Sequence, residues 1–208
     1  DGECPGRKVA EEFYNLDVKD GEAHLQLARA KKIDGVVSIA VEAAVECTAY
    51  VSEKLGLKGN QFAVAQRAHD KNIYYQMLRK KGIKVPPTFR LEQDLSILSA
   101  TTEYLVVKPS KGSGSRLVTK IHQSELHKYL QKHGGELKPG EQFLVQEYVN
   151  GRELTVDGFV HNNQVYILAI AEEKTDPNLG ASVSSELEFA PEWIESGLIA
   201  AIEETTKC

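Results

Sequence analysis

Residues 105–118 read Leu-Val-Val-Lys-Pro-Ser-Lys-Gly-Ser-Gly-Ser-Arg-Leu-Val, two apolar runs of strand character joined by a loop of glycine, serine and positive charge. The chain as a whole is acidic, with 25 Lys and Arg against 30 Asp and Glu. Between Lys108 and Lys120 the balance reverses, because Lys108, Lys111, Arg116 and Lys120 occur there with no Asp or Glu among them. Small residues leave backbone N–H groups exposed and form an anion nest, and the neighbouring cations favour phosphate over a lone carboxylate. A solvated hairpin loop is the plain alternative. Two familiar phosphate motifs do not fit: a Walker A motif needs Gly-Lys followed by Ser or Thr, and the dinucleotide fingerprint needs a glycine where Leu117 stands. The flanking segments therefore have to decide.

Composition narrows the classes. At 208 residues, 41% hydrophobic and 26% charged, the chain suits one large domain or two small ones. Its apolar runs fall well short of the roughly 18 residues of a membrane span. The N-terminal DGECPGRKVAEEF has no apolar centre for a signal peptide, so a cytoplasmic chain without a membrane partner is expected. Cys4, Cys47 and Cys208 are scattered and odd in number, which argues for reduced thiols rather than a disulfide framework or a zinc site. His24, His69, His122, His127, His133 and His161 show no ligand or nucleophile pattern. A net charge of −5, with 7% aromatics and no basic stripe beyond the loop, argues against a nucleic-acid partner.

Along the chain, residues 22–31 read as a helix with Leu25, Leu27 and Ala28 on its apolar side. Residues 35–40, Gly-Val-Val-Ser-Ile-Ala, read as a short buried strand, and a second helix carries Val41, Ala44, Val45, Ala49 and Leu55 to Gly56. That succession suits a parallel α/β layer. Residues 61–81 read as helical with a break near His69, stopped by Gly82 and by Pro86-Pro87, which mark a linker. Strands are expected at 104–108, 117–121 and 143–149, with a helix between them from Ser124 as cap through Lys132. Two more, 153–160 and 164–172, flank His161-Asn-Asn as a hairpin. The chain begins at Asp1, and the helical period of Trp193, Ile194, Leu198, Ala201 and Ile202 runs to Cys208 without a cap. A fragment is expected, with that apolar face exposed or covered by a second copy or by the remainder of a parent chain.

Three segments then stand side by side: Asp70-Lys71 opening a helix that ends Met77-Leu-Arg-Lys-Lys-Gly82-Ile-Lys-Val-Pro86; the loop after Lys108-Pro109; and Gln146-Glu-Tyr-Val-Asn-Gly-Arg-Glu153-Leu-Thr-Val-Asp157. Together they resemble the ATP-grasp ligases, in the branch of carbamoyl phosphate synthase and biotin carboxylase. Ile33-Asp-Gly-Val-Val-Ser and Tyr50-Val-Ser-Glu-Lys-Leu-Gly-Leu-Lys-Gly59 are similar to the end of the domain that precedes the grasp. The resemblance implies a partial ATP-grasp fold of α/β (α+β) class. Residues 1–60 would close the preceding α/β domain, 61–103 would be linker helices, 104–149 the small α+β lid, and 150–208 the start of a truncated antiparallel C-terminal lobe.

The same resemblance implies the site. Lys71 would approach the α-phosphate of ATP and Lys108 would bridge phosphate and adenine, as flexible point charges. Ser113, Gly114 and Ser115 would form a lid over the β- and γ-phosphates. Backbone groups of the hinge, at Gln146, Glu147 and Val149, would meet the adenine edge, and the Glu153 carboxylate would accept from the ribose hydroxyls. Each has a plainer reading: Lys71 a solvent-facing helix residue, 143–149 an ordinary strand, Glu153 a salt-bridge partner of Arg152 or Lys174. The family holds magnesium with an acidic residue and a Glu-x-Asn pair. No such pair follows residue 160, so the Mg2+ ligands are expected beyond Cys208, and Glu186 and Glu188 are read as substrate-side or structural. The implied activity is ATP-dependent carboxylate–amine ligation through an acyl phosphate, with a small-molecule carboxylate or bicarbonate and an amine or similar nucleophile as partners. The alternative is a non-catalytic nucleotide-binding or regulatory module. The chain alone is expected to bind ATP without turning it over.

Overall fold

The computed structural model describes residues 4–39, 41–90, 103–112, 114–175, 184–189 and 193–207. It divides into two compact units, Asp1–Lys71 and Asn72–Cys208.

The first unit is helical. Helix α1, Gly21–Lys31, starts where the Asp20 carboxylate accepts from the Ala23 N–H at 3.0 Å and stops at Lys32, which adopts a left-handed φ of 52°. A 3-10 turn at Glu42–Ala44 leads into α2, Val45–Leu55, closed by Gly56 at φ 65°. The two helices pack through Leu25, Ala28, Cys47 and Val51. Helix α3, Phe62–His69, is separated from α4, Lys71–Lys80, by Asp70, whose ψ of 102° is not helical. That break follows the sequence reading. The expected strand at 35–40 does not form among the described residues, and Val37 and Ile39 are 78% and 80% exposed. An apolar run becomes a strand only when a neighbour completes its ladder, and the described elements of this unit are all helical. The run instead borders a cavity of about 430 Å³ lined mainly by apolar side chains, among them Val18, Leu27, Ile33, Val36, Val41 and Val51.

In the second unit, β1 (Thr88–Arg90), β2 (Tyr104–Pro109), β3 (Thr119–His122) and β4 (Phe143–Glu147) form an antiparallel sheet in the order β1-β4-β2-β3. Its core face carries Leu105, Val107, Ile121, Phe143 and Val145, which pack with Leu126 of α5, Leu126–His133. Side chains alternate faces along each strand, so Val106 and Lys108 point the other way. Ser124 is not the cap expected for the helix after β3. It lies in a 3-10 turn at Gln123–Glu125, and the His122 ring accepts its N–H at 3.2 Å, because the turn starts two residues earlier.

A second antiparallel sheet runs β5 (Glu153–His161), β6 (Gln164–Thr175) and β7 (Ser184–Phe189). Asn162 and Asn163 turn its hairpin at φ 49° and 60°, the paired left-handed geometry that asparagine tolerates and that matches strand twist. Pairing shifts between Asp157 and Gly158, where Leu168 is the extra residue of a bulge. The C-terminal helix α6 is shorter than its apolar period, Ser196–Lys207. Trp193 precedes it and is half-buried rather than exposed: its indole N–H donates to Glu172 at 2.7 Å, and the Arg152 guanidinium lies 4.3 Å from its ring centre. Leu198 and Ile199 remain on the surface, and residues 191, 192 and 208 of the expected helix lie outside the described residues. The fold is therefore mixed α/β with antiparallel sheets.

The bulge makes a testable demand on Gly158. A Cβ there would stand 2.6 Å from the Tyr166 carbonyl oxygen, which is backbone and cannot swing aside. Gly158→Ala is expected to destabilise the chain by about 1 to 3 kcal/mol, read by urea unfolding, as overpacking does. An unchanged midpoint would contradict the close approach.

Candidate functional site

The face of the first sheet opposite its core carries the polar side chains. The cross-strand register places Lys120, Val106, Gln146 and Thr88 in one row, with Lys108 and Leu144 in the next and His122 and Tyr104 on the other side. Lys108 donates to the Tyr75 hydroxyl of α4 at 2.8 Å and to the Gln146 amide oxygen at 2.8 Å, with its ammonium 4.9 Å from the Tyr75 ring centre. Gln146 is 6% exposed, and its amide nitrogen donates to Thr88 Oγ1 at 2.9 Å. Thr88 in turn donates to the Pro86 carbonyl at 2.8 Å. The bonds of this half-buried relay run in series through Gln146, which fixes its amide and presents the ammonium from the sheet.

Beyond Gln146 the strand ends earlier than expected, at Glu147 rather than Val149. The Glu147 N–H donates to the Pro87 carbonyl at 3.1 Å, and the Tyr148 N–H to the Tyr104 carbonyl at 3.1 Å. Since Thr88 pairs with Gln146, Pro87 stands opposite Glu147. A proline has no N–H to return, so the ladder leaves the Glu147 carbonyl unanswered at that position. Val149 follows, 64% exposed. A backbone acceptor and an apolar side chain thus adjoin at one strand end, a pairing suited to the edge and face of a flat heterocycle.

Glu153 opens β5 directly opposite Glu173 of β6. Although the residue remains accessible, its carboxyl loses part of its hydration, which raises its pKa; the Glu173 charge raises it further, and Lys108 opposes both. Neither plain salt bridge expected for Glu153 is its main partnership. Arg152 stands 3.7 Å from Glu172, and Lys174 pairs with Glu186 and Glu188 at 3.9 and 2.7 Å. The two acids of β7 thus brace the sheet.

The glycine-rich loop after β2 runs through left-handed backbone at Gly112, Gly114, Ser115 and Leu117, with φ 99°, 67°, 56° and 55°. Ser113 lies outside the described residues. Two cations grouped with the loop by sequence belong elsewhere. Arg116 donates to the Glu141 carboxylate and to the Glu136 carbonyl, tying the loop to the segment that precedes β4. Burial alone would raise the Glu141 pKa, but the Arg116 guanidinium and the Lys138 N–H outweigh it and hold the carboxyl below its ordinary range. Lys120 points to the opposite end of the sheet face, its ammonium 3.6 Å from the Tyr148 ring centre and 4.8 Å from that of Tyr104.

The second unit therefore gathers Lys108, Gln146, Glu147, Val149 and Glu153, with Gly114 and Ser115 on the loop after β2, whereas Lys71 is the last residue of the first unit. The parts that Tyr75, Thr88, Pro87, Tyr148 and Glu173 play in this geometry were not read from the sequence, although Pro87 marks the linker and Tyr148 lies in the hinge segment. Of these Tyr75 left a trace, one helical turn after Lys71 and before the apolar Leu78. Among the described residues, no three His, Cys, Asp or Glu side chains converge to hold a metal ion. Among them also, no helix is long and apolar enough to cross a membrane.

Comparison with known proteins places this geometry in a family. Residues 68–203 match the model of the ATP-grasp domain. The chain is 34% identical over 106 residues to the D-alanine–D-alanine ligase of Petrotoga mobilis, covering 50% of this chain and 33% of that protein. It is 26% identical over 200 residues to the carbamoyl phosphate synthase large chain of Thermotoga petrophila, covering 93% of this chain and 18% of that one. It thus spans a third or less of the length of these relatives. Among solved structures, N5-carboxyaminoimidazole synthetase from Staphylococcus aureus, complexed with ADP, superposes with a TM-score of 0.70 at 20% identity, over 98% of this chain and 53% of that one. The family match covers well over half of the chain and coincides with the elements that build the site: the chain belongs to the ATP-grasp family.

Proposed function

We propose that this chain supplies the nucleotide-binding part of a cytoplasmic, ATP-dependent carboxylate–amine ligase. One observation carries the reading: an ammonium fixed on a sheet face by the neutral groups of Tyr75 and Gln146, one strand end away from the open Glu147 carbonyl. The carbonyl accepts from the exocyclic amine of adenine, and Val149 lies against the ring. Lys108 serves the phosphates, and the loop bearing Gly114 and Ser115 closes over them as part of a lid spanning 104–149. Glu153 accepts from the ribose hydroxyls. Lys71 adds a second cation, near the α-phosphate.

In the proposed reaction the γ-phosphate of ATP activates a small-molecule carboxylate as an acyl phosphate, which an amine or similar nucleophile then displaces. The part played by this chain is positioning and charge neutralisation, the main sources of catalysis in phosphoryl transfer. Magnesium completes that chemistry in the proposal, held by residues other than those described. The relatives named as D-alanine–D-alanine ligase and carbamoyl phosphate synthase support the reaction class, and the substrate carboxylate is left as a class.

Two measurements test the assignment. Lys108→Met removes the charge while keeping a stem over Tyr75. By calorimetry it is expected to weaken ATP by roughly ten- to a hundredfold, about 1.5 to 3 kcal/mol for bonds to a charged group, and adenosine far less. Equal losses for the two ligands would show that Lys108 serves the fold and not the phosphates.

The second concerns pH. A carboxyl whose pKa is raised takes up its proton at higher pH than an ordinary carboxylate, so the ribose acceptor is lost early on acidification. Adenosine affinity is expected to fall as the pH drops through a midpoint above the ordinary value of 4.5, and Glu153→Gln to flatten that profile. A variant with the wild-type profile and affinity would remove Glu153 from the site.

A further inference from the structure

Lys120 is the cation on the site face that neither the phosphate loop nor the ribose end uses. It is paired with Val106, in the same row as Gln146, so its stem rises from the face that carries Lys108. Its ammonium does not lean toward the loop. It crosses the sheet to lie over the rings of Tyr104 and Tyr148, 4.8 and 3.6 Å from their centres. Tyr148 sits between Glu147, whose carbonyl the ladder leaves open, and Val149, whose side chain is exposed. Its own N–H is bonded to the Tyr104 carbonyl, so the two rings that flank the ammonium belong to residues already joined through their backbones.

We propose that Lys120 is a positioning residue for the hinge. By holding the Tyr148 ring through a cation–π contact, it fixes the orientation of the peptides from Glu147 to Val149 and thereby the acceptor offered to a flat, amine-bearing heterocycle. The physical reason lies in the end of β4. Tyr148 bonds to Tyr104 just past the end of β4, and residues 149–152 lie outside any strand before β5 opens at Glu153, so the order of the hinge falls to side-chain contacts. A lysine over an aromatic face supplies such a contact, because the ring quadrupole attracts the ammonium and the four-carbon stem is long enough to reach the ring from β3. The assignment of this hinge to adenine rests on the nucleotide reading above; the clamp itself does not.

The test uses Lys120→Met, Lys120→Arg and Tyr148→Leu in the 208-residue chain. Without ligand, Lys120→Met is expected to speed amide hydrogen exchange at residues 147–149 while leaving that of Val107 and Val145 unchanged, and Lys120→Arg, which keeps a cation over the ring, to retain the wild-type pattern. By calorimetry, Lys120→Met is expected to weaken adenosine and ATP by the same factor, about three- to tenfold. Adding it to Tyr148→Leu should cost nothing further, since the contact is already gone. Unchanged hinge exchange in Lys120→Met overturns the proposal. So does a loss confined to ATP, which would make Lys120 a phosphate ligand. Absence of nucleotide binding in the wild-type chain, with the exchange effect intact, sinks the nucleotide reading and leaves the clamp standing.

Discussion

An ammonium on an inner strand of a sheet must be ringed by acceptors, and Lys108 meets that condition by joining three parts of the chain. Tyr75 comes from α4, Gln146 from β4, and Gln146 is itself held by Thr88 of β1. The strand order β1-β4-β2-β3 makes this possible, because β4 lies between the strand that carries the lysine and the strand that orients the glutamine. On the opposite face, Leu105 and Val107 are fully buried on either side of the same alternation. A slip of one residue in β2 would drive Lys108 into that core and turn Val107 outward, so the packing of the core and the placing of the charge are one constraint.

The hinge depends on something a strand usually avoids. A proline at the start of a strand removes one ladder donor, and on β1 that loss falls opposite Glu147. The strand is short, and the neighbouring bonds from Glu147 and Tyr148 hold the end of β4 on both sides, so one unanswered carbonyl does not unravel it. The helix before β1 has already closed at Lys80, where Gly82 turns at φ 79°, so the proline at position 87 acts on the ladder alone.

The sequence made legible whatever is encoded locally. The break at Asp70, the αL stop at Gly56 and the Asn-Asn hairpin depend on neighbouring residues and follow from backbone preference. Lys108 stood out because it ends an apolar run whose alternation leaves it on the polar face. What was not legible depends on register between distant segments: Gln146 meets Thr88 across 58 residues and Lys108 across 38, and no local pattern specifies that pairing. Charge counting grouped Arg116 and Lys120 with the loop because they are near it in sequence. A bond to Glu141 takes the first away, and strand alternation with two tyrosine rings takes the second. The run at 35–40 failed for the complementary reason, since composition marks strand character but the ladder has to come from elsewhere.

The choice of neutral partners for Lys108 has an electrostatic consequence. Had its acceptors been carboxylates, the ammonium would be satisfied in both hydrogen bonding and charge, and a phosphate would have to compete with them. Tyr75 and Gln146 satisfy the donors without cancelling the charge. The lysine's field therefore extends outward, which is seen in its pull on the Glu153 carboxyl against the opposing influences of burial and Glu173. A cation whose hydrogen-bonding partners are neutral is preorganised for an anion: neither Tyr75 nor Gln146 brings a charge to compete with it, and little side-chain order remains to be gained.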